Sequence, residues 1–158
     1  MTATSTSQGT KPTHIGVGVG VFVVRASDSA ILVGKRIGSH GAGTYQLPGG
    51  HLDPYETFES CATREVLEET GLRVQDPIFL TATNDPMPAE GKHYVTIFMR
   101  AHCIDEVPRP AVLEPEKCES WKFVSYEELM KLRPLFTPLL SLEATRKGFS
   151  PFAAVPTA

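Results

Sequence analysis

A helix predicted over residues 57–70 constrains this chain more than any other segment, because acidic residues interrupt its hydrophobic face. The first half of that face carries apolar residues at the helical spacing of three and four: Phe58, Cys61 and Ala62. The same spacing continues to Glu65 and Glu69, which stand where core residues are expected. Glu68 adds a third carboxyl group on that side. The fold must therefore place this side of the helix where several carboxyl groups are tolerated.

These clustered carboxyl groups need compensation, because like charges four residues apart repel each other and repel more strongly when they are partly buried. No lysine or arginine follows Glu65 or Glu69 at the four-residue spacing within the helix, since Arg73 lies beyond the Gly71 that ends it. A divalent cation held by oxygen ligands is the simplest compensation. The alternative is a solvated acidic face, and the helix alone leaves both open.

The segment from Ile15 to Arg25 alternates as a strand does, and Gly16, Gly18 and Gly20 share one of its faces. Glycine on one face of a strand indicates either close approach of a ligand or tight packing within the sheet. Both interpretations stay open at this point. The run has no GxGxxG pattern, so it does not indicate a dinucleotide site of the Rossmann type.

The remaining pattern predicts an α/β (α+β) fold, a central mixed sheet flanked by helices in an α/β/α sandwich. Further strands are predicted over residues 31–35, 45–47, 77–84, 93–103 and 119–124. A hairpin joins the first two strands, a glycine-rich loop covers 38–43, and a proline-containing loop covers 85–91. A capping box at residues 125–128 opens one helix, and another begins at Thr137 with proline in its first position and ends at Gly148. We expect one domain over 14–150, with a flexible tail at 1–13 and a loose tail at 151–158.

Composition narrows the classes of partner. The chain has 158 residues and a net charge of −3, so no stable nucleic acid partner is expected. The apolar run at 15–24 is too short to cross a bilayer, so no membrane association is expected. Three cysteines without a CxxC pair predict reduced thiols in a cytoplasmic protein.

The stretch from Gly50, GHLDPYETFESCATREVLEETGL, matches the Nudix box Gly-x5-Glu-x7-Arg-Glu-U-x-Glu-Glu-x-Gly-U, in which U is aliphatic. The defined positions all agree: Gly50, Glu56, Arg64, Glu65, Val66, Glu68, Glu69, Gly71 and Leu72. The flanking stretches GKRIGSHGAGTYQLPGGHL, HYVTIFM and EPEKCESWKFV resemble the MutT-type nucleoside triphosphate diphosphatases, particularly those that degrade thiopurine nucleotides and their plant relatives. This resemblance spans most of residues 34–124 and implies the Nudix fold.

The resemblance implies that a loop–helix–loop holds Mg²⁺, with Mn²⁺ as an alternative, through the catalytic carboxylates Glu65, Glu68 and Glu69 and the carbonyl of Gly49. Either Glu68 or Glu69 would take the proton of the attacking water. Glu116, five residues before Trp121, has the spacing of a further metal ligand in MutT-type relatives, although a solvated loop charge is an equal alternative.

Four other box residues are expected to be structural. Glu56 and Arg64 would form a pair that fixes the loop against the helix without touching the metal. Gly50 and Gly71 would be needed for the conformation of the backbone.

In the relatives, the basic pair Lys35 and Arg36 faces the phosphates. Only one of the two is expected to contact substrate here, because neighbouring strand residues point to opposite faces. The remaining substrate contacts are expected from Gly49, from Leu47, and from the glycine face with Gly16 and Gly18. Thr96 is a further candidate, although a purely structural role is the simpler expectation for it.

The resemblance implies hydrolysis of nucleoside triphosphates, guanine deoxynucleotides in normal or modified form, to monophosphate and pyrophosphate, as in sanitation of the nucleotide pool. ADP-ribose, NADH or another nucleoside diphosphate derivative is the alternative, and Pro86 lies near the position where ADP-ribose hydrolases carry a proline. A Nudix domain that only binds its ligand is a third option. Close relatives are homodimers, and Trp121, Phe123 and the turn at 108–115 are the expected contact surface.

Overall fold

The computed structural model describes residues 11–38 and 40–155. The strands are β1 (Gly16–Val24), β2 (Ile31–Arg36), β3 (Tyr45–Gln46), β4 (Gly49–His51), β5 (Val74–Met87), β6 (Lys92–Cys103) and β7 (Cys118–Val124). The helices are α1 (Phe58–Thr70), α2 (Tyr126–Lys131) and α3 (Thr137–Thr145), and a 3₁₀ turn covers Pro88–Glu90.

These strands form a seven-stranded mixed sheet in the order β3-β2-β1-β6-β5, with β4 paired to β1 and β7 paired to β2. Strand β1 lies parallel to β6 along its whole length, whereas the other pairings are antiparallel. The predicted hairpin between β1 and β2 is present, with Val24 opposite Ile31. β4 is paired with residues 18–20 of β1, which brings the segment before α1 against the glycine face of the central strand.

Two hydrophobic layers sandwich the sheet, as predicted. Val19, Val21 and Val23 of β1 pack with Cys61, Ala62 and Val66 of α1. On the other face, Phe22 packs with Leu129 of α2 and with Leu139 and Leu142 of α3. Because β1 alternates, its glycines lie on the same side as Phe22, facing α3 and away from α1. The architecture is the α/β/α sandwich of the prediction.

Helix α1 has the predicted bounds because both of its ends are capped. The Thr57 hydroxyl oxygen accepts a hydrogen bond from the backbone N–H of Ser60, 3.1 Å away. Gly71 adopts a left-handed conformation with φ of 72°, and its N–H donates to the carbonyl of Leu67. The position of the carboxyl groups along the helix axis is therefore set by local sequence.

Three element predictions need correction. Strand β4 is absent from the prediction, because its glycine-rich sequence has no alternating pattern. Strand β5 runs on to Met87, so the predicted loop at 85–91 is shorter. β5 lies at the edge of the sheet, where Pro86 can stand without a backbone N–H. Helix α3 ends at Thr145, before Gly148, and Pro138 is its second residue.

The chain termini are described only in part. Residues 1–10 of the predicted N-terminal tail, and residues 156–158, lie outside the described residues. Pro151 is buried, and its carbonyl accepts a hydrogen bond from Nη1 of Arg100 at 2.7 Å. The chain is therefore attached to the sheet where the sequence predicts a loose segment. Among the described helices, none combines the length and apolar character needed to cross a bilayer.

Candidate active site

The acidic side of α1 faces β4. Glu69 is partly buried, and its Oε2 accepts a hydrogen bond from the backbone N–H of Gly49 at 3.0 Å. The carboxyl group of Glu65 lies directly on Gly50, where a Cβ atom would come within 2.3 Å of its Oε1. Glu68 points further out, with 55% of its side chain exposed. The helix therefore delivers two carboxyl groups to the backbone of β4 and a third to the solvent beside it.

Burial disfavours the ionised form of both inner carboxyl groups. Burial raises the pKa of Glu69 to about 8, against the lowering effect of the Gly49 N–H, and the carboxyl groups of Glu65 and Glu114 add to the rise. Burial also raises the pKa of Glu65, although Arg64 opposes it. Carboxyl groups in this condition are stabilised in their ionised form by a nearby cation.

Arg64 ties the helix to the loop before it. Its Nε and Nη2 donate to the two carboxylate oxygens of Glu56 at 2.8 and 2.9 Å, and these hydrogen bonds lower the pKa of Glu56 to about 2. Nη2 also donates to the carbonyl of His51 at 3.0 Å. Nη1 contacts Glu65 at 2.8 Å and Glu68 at 3.3 Å. The prediction from the sequence covered only lysine or arginine residues that follow each glutamate in the helix. It therefore missed Arg64, which precedes both Glu65 and Glu68.

The donor set fits a divalent cation in its chemistry. As the side chains stand, no three His, Cys, Asp or Glu residues within 11–38 and 40–155 converge on one point, and Glu65 and Glu68 instead share Arg64. The carboxyl groups of Glu65, Glu68 and Glu69, with the backbone of Gly49 beside them, nevertheless supply the oxygen ligands that Mg²⁺ and Mn²⁺ prefer.

A carboxyl group of the loop before β7, Glu114, lies near this cluster. Glu116 is exposed, whereas Glu114 is partly buried and close enough to raise the pKa of both Glu65 and Glu69. The backbone explains the difference, because the N–H of Leu113 donates to the carbonyl of Glu69 at 3.3 Å and holds the residue after it near the end of α1. A metal-binding role for Glu116 stays a prediction, and Glu114 is a second candidate beside it.

A cleft opens on the face of the sheet that carries α3. Its volume, including the open mouth, is about 700 Å³. Gly18 and Gly20 of β1 and Thr96 of β6 form part of its lining, together with Gly49 and Gly50 of β4. The rest of its wall is mostly apolar, with Leu47, Met87, Phe98, Phe136 and Leu139 among its residues, and it also includes the polar side chains of Arg36, His40, Gln46 and His51. Because Gly49 also bonds to Glu69, β4 is the wall that separates the cleft from the carboxyl cluster.

Only one member of the predicted basic pair faces the cleft. Arg36 lines it, with Nε donating to the carbonyl of His40 at 2.9 Å and the guanidinium lying 4.2 Å from the ring centre of Phe136. Lys35 pairs instead with Glu119 at 3.4 Å. The alternation of β2 therefore has the effect that the sequence predicts. Phe136 was not anticipated, because it reaches the cleft from the far end of the chain.

Most of the predicted substrate residues line the cleft: Leu47, Gly49, Thr96 and Gly18. Gly16 does not, because the ring of Tyr94 lies where its side chain would be, 2.5 Å from a Cβ atom. The two interpretations of the glycine face thus apply to different residues. Gly16 serves packing within the sheet, whereas Gly18 and Gly20 leave space open.

A family model of the NUDIX domain matches residues 14–141. The chain belongs to the Nudix family. A solved MutT NUDIX hydrolase from Burkholderia pseudomallei is similar at 30% identity, with a TM-score of 0.70, covering 84% of this chain and 98% of that one. Membership agrees with the fold and with the position of the box, whose helix and preceding loop form the carboxyl cluster described above.

Two further relatives differ in what their names describe. The NAD-capped RNA hydrolase NudC of Salmonella heidelberg is 27% identical over 114 residues, which are 72% of this chain and 41% of that protein. This Nudix chain therefore spans about two fifths of the length of that relative. A bifunctional NMN adenylyltransferase/ADP ribose pyrophosphatase from Francisella tularensis, complexed with AMP and a Mn ion, shares the fold at 16% identity, with a TM-score of 0.61 over 83% of this chain and 40% of that one.

Proposed function

We propose that this Nudix chain hydrolyses nucleoside triphosphates, with guanine deoxynucleotides in normal or modified form among the best, to monophosphate and pyrophosphate. The observation that carries this proposal is the junction at Gly49 and Gly50. On one side of β4 lie the carboxyl groups of Glu65 and Glu69, and on the other side lies the mostly apolar cleft. A nucleotide has the same division, with a charged polyphosphate at one end and a flat base at the other.

The lining of the cleft suits a nucleotide base and sugar. A concave and mostly apolar wall with a few polar groups is typical of small-molecule sites. Leu47 and Phe98 offer apolar contact to a ring, and Gly18 leaves room beside them. Arg36 supplies a positive charge at the cleft wall of a chain whose net charge is −3. A small nucleotide therefore suits this protein better than a long RNA.

Glu65, Glu68, Glu69 and the carbonyl of Gly49 would hold Mg²⁺, or Mn²⁺ in its place, and the ion would neutralise phosphate charge and make water more acidic. The carboxyl groups differ in what else they do. Glu69 is held by the Gly49 N–H, which fixes its direction. Glu68 is exposed and has one long contact to Arg64, so it is free to meet a water molecule and take its proton. Both remain candidates for the base.

A substrate panel tests the proposal. The purified chain is incubated with Mg²⁺ and each deoxynucleoside triphosphate, ADP-ribose or NADH, and products are separated by chromatography. We expect the highest kcat/KM with a guanine triphosphate and pyrophosphate as the first product. Orthophosphate as the first product, or ADP-ribose exceeding every triphosphate tenfold, would contradict the substrate while leaving the family assignment intact. Absence of hydrolysis of every compound would favour a binding module.

One observation supports the alternative substrate, ADP-ribose. Pro86, near the position where ADP-ribose hydrolases carry a proline, stands at the end of β5 beside Met87, and Met87 lines the cleft. In this chain Pro86 lies in an edge strand, and this position explains the presence of proline without a role in binding substrate. We therefore rank ADP-ribose second.

We further propose a cytoplasmic homodimer with a small-molecule nucleotide as its partner. The three cysteines are buried and form no disulfide, which supports a reducing compartment. The expected contact surface changes, because Trp121 and Phe123 pack against the hydrophobic layer of α1. Val107, directly before the turn at 108–115, and Leu113, within it, are exposed and are better contact residues. Sedimentation at micromolar concentration tests this, and a monomer mass would remove it.

A further inference from the structure

A buried carboxyl group lies behind the floor of the cleft. The side chain of Asp85, on β5, has no exposed surface. Its Oδ2 accepts hydrogen bonds from the hydroxyl groups of Thr83 and Thr96, at 3.0 and 2.5 Å. Its Oδ1 is also buried and has no hydrogen-bond partner among the residues that the structure describes. A buried carboxyl group satisfied at only one oxygen is costly, so its presence requires an explanation.

The two threonines differ in their access to the cleft. They are opposite each other in the pairing of β5 with β6, and both are buried. Thr96 lines the cleft, whereas Thr83 is not among the described residues that form its wall. The hydroxyl oxygen of Thr96 lies 3.8 Å from where a Cβ atom of Gly18 would be. Because Gly18 has no side chain, that oxygen is open to a ligand from this direction.

Asp85 decides which hydrogen-bonding role this oxygen has. A threonine hydroxyl carries one proton and two lone pairs. The Thr96 proton is directed to Asp85, so only lone pairs remain for the cleft. The same Asp85 oxygen accepts from both threonines, which holds the Thr96 proton away from the cleft. Thr96 therefore presents an acceptor to the ligand, whereas a threonine without this partner could rotate and donate.

We propose that Asp85 is a positioning residue that makes Thr96 a fixed acceptor, so that the cleft selects base edges carrying an amino or imino N–H. Guanine presents both kinds of N–H on one edge. An unsubstituted purine presents only lone pairs there and would meet the Thr96 oxygen with no proton between them. This inference rests on the proposed nucleotide site, but it concerns recognition of the base and not the hydrolysis.

The test separates binding from catalysis. Titration calorimetry in EDTA measures the affinity of four deoxynucleoside monophosphates: those of guanine, hypoxanthine, 2-aminopurine and unsubstituted purine. They carry, in that order, an imino and an amino N–H, the imino alone, the amino alone, and neither. In the wild type, the presence of either the imino or the amino N–H group should strengthen binding about tenfold over the compound that lacks that group. This affinity ratio is the quantity that the variants are compared by. In Thr96→Val the same group should change binding less than twofold, as a double-mutant cycle between protein and ligand requires.

Three further variants distinguish positioning from general structural damage. Thr83→Val removes a matched hydrogen bond to the same Asp85 oxygen outside the cleft, and it should keep the tenfold ratio. Thr96→Ser keeps the hydroxyl group and should keep the ratio as well. Asp85→Ala keeps Thr96 but frees its proton, so the ratio should fall below threefold.

Several results would overturn the inference: a Thr96→Val protein that keeps the ratio, a Thr83→Val protein that loses it, or an Asp85→Ala protein that keeps it. Absence of binding of all four compounds to the wild type would also overturn it. If Asp85→Ala does not fold, the valine and serine variants at position 96 still decide. A wild type that shows the ratio but hydrolyses no triphosphate would refute the proposed function alone.

Discussion

The metal-free protein should lose stability as the pH rises through the neutral range, because Glu69 holds its proton more tightly in the folded state. Its pKa is raised from 4.5 to about 8 on folding, chiefly by burial. Below pH 4.5 the group is protonated in both states and costs nothing. Above pH 4.5 the Glu69 carboxyl group is ionised in the unfolded chain but still protonated in the folded protein, so folding requires the uptake of a proton. The stability is lost progressively until the pH passes about 8.

The magnitude follows from the same two values. A tenfold change in proton affinity corresponds to about 1.4 kcal/mol. Between pH 6.5 and 8.5 the free energy of unfolding should therefore fall by about 2 kcal/mol, which is ~4–8 °C in Tm for a domain of this size. Burial lowers the pKa of His40 from 6.5 to about 4, so its opposing effect on stability acts mainly below pH 6.5 and fades within this window. Glu65, with a raised pKa, acts in the same direction.

The assay is thermal unfolding followed by circular dichroism in EDTA at pH 6.5, 7.5 and 8.5. Glu69→Gln is the matched control, because it keeps the shape and removes the titration, and most of the pH dependence should disappear in it. Mg²⁺ should raise the Tm of the wild type more at pH 8.5 than at pH 6.5, since the ionised group binds the ion. A metal-free wild type whose Tm is constant over this range, or falls equally in Glu69→Gln, would refute the reasoning.

Three further predictions follow from the site. Glu69→Gln should lower kcat in Mg²⁺ by at least about two orders of magnitude, measured as pyrophosphate release, whereas Glu59→Gln, on the exposed first turn of α1, should retain the wild-type rate. Gly18→Ala should fold, because its Cβ atom would meet only ordinary contacts at 3.8 Å. It should raise KM about tenfold with kcat unchanged, because the added methyl group narrows the cleft. An unchanged KM would exclude Gly18 from the binding wall. Glu56→Gln should lower the free energy of unfolding by about 1 kcal/mol, and Tm by ~2–4 °C, because Arg64 loses a charged bidentate partner. Equal Tm values for wild type and variant would show that the pair does not hold the loop.

The prediction from the sequence was strongest where the determining interactions are local. The bounds of α1 follow from Thr57 and Gly71, which act within one turn of the helix. The alternation of β2 is enough to separate Arg36 from Lys35. The fold class follows from the order of strands and helices, and the carboxyl cluster follows from helical spacing in the box. In each case the cause lies within a few residues of its effect.

The prediction was weakest where residues distant in the chain meet. The sequence did not indicate that Glu114 lies near the carboxyl groups, where a backbone hydrogen bond holds the loop at the end of α1. Arg64 was recognised as the partner of Glu56 but not of Glu65 and Glu68. Strand β4 has too little hydrophobic pattern to be recognised, although its pairing with β1 creates the wall between the two halves of the site.

The sequence by itself determined the family, the fold class and the acidic side of α1, because these depend on short-range spacing that a helix or strand converts directly into geometry. Only the tertiary structure decided which groups face the cleft. Thr96 is a strand threonine in the sequence, and its role depends on Asp85, brought opposite it by the pairing of β5 with β6. Phe136 arrives from the segment before α3. Burial and the direction of a proton arise only when such segments pack together, so local pattern does not contain them.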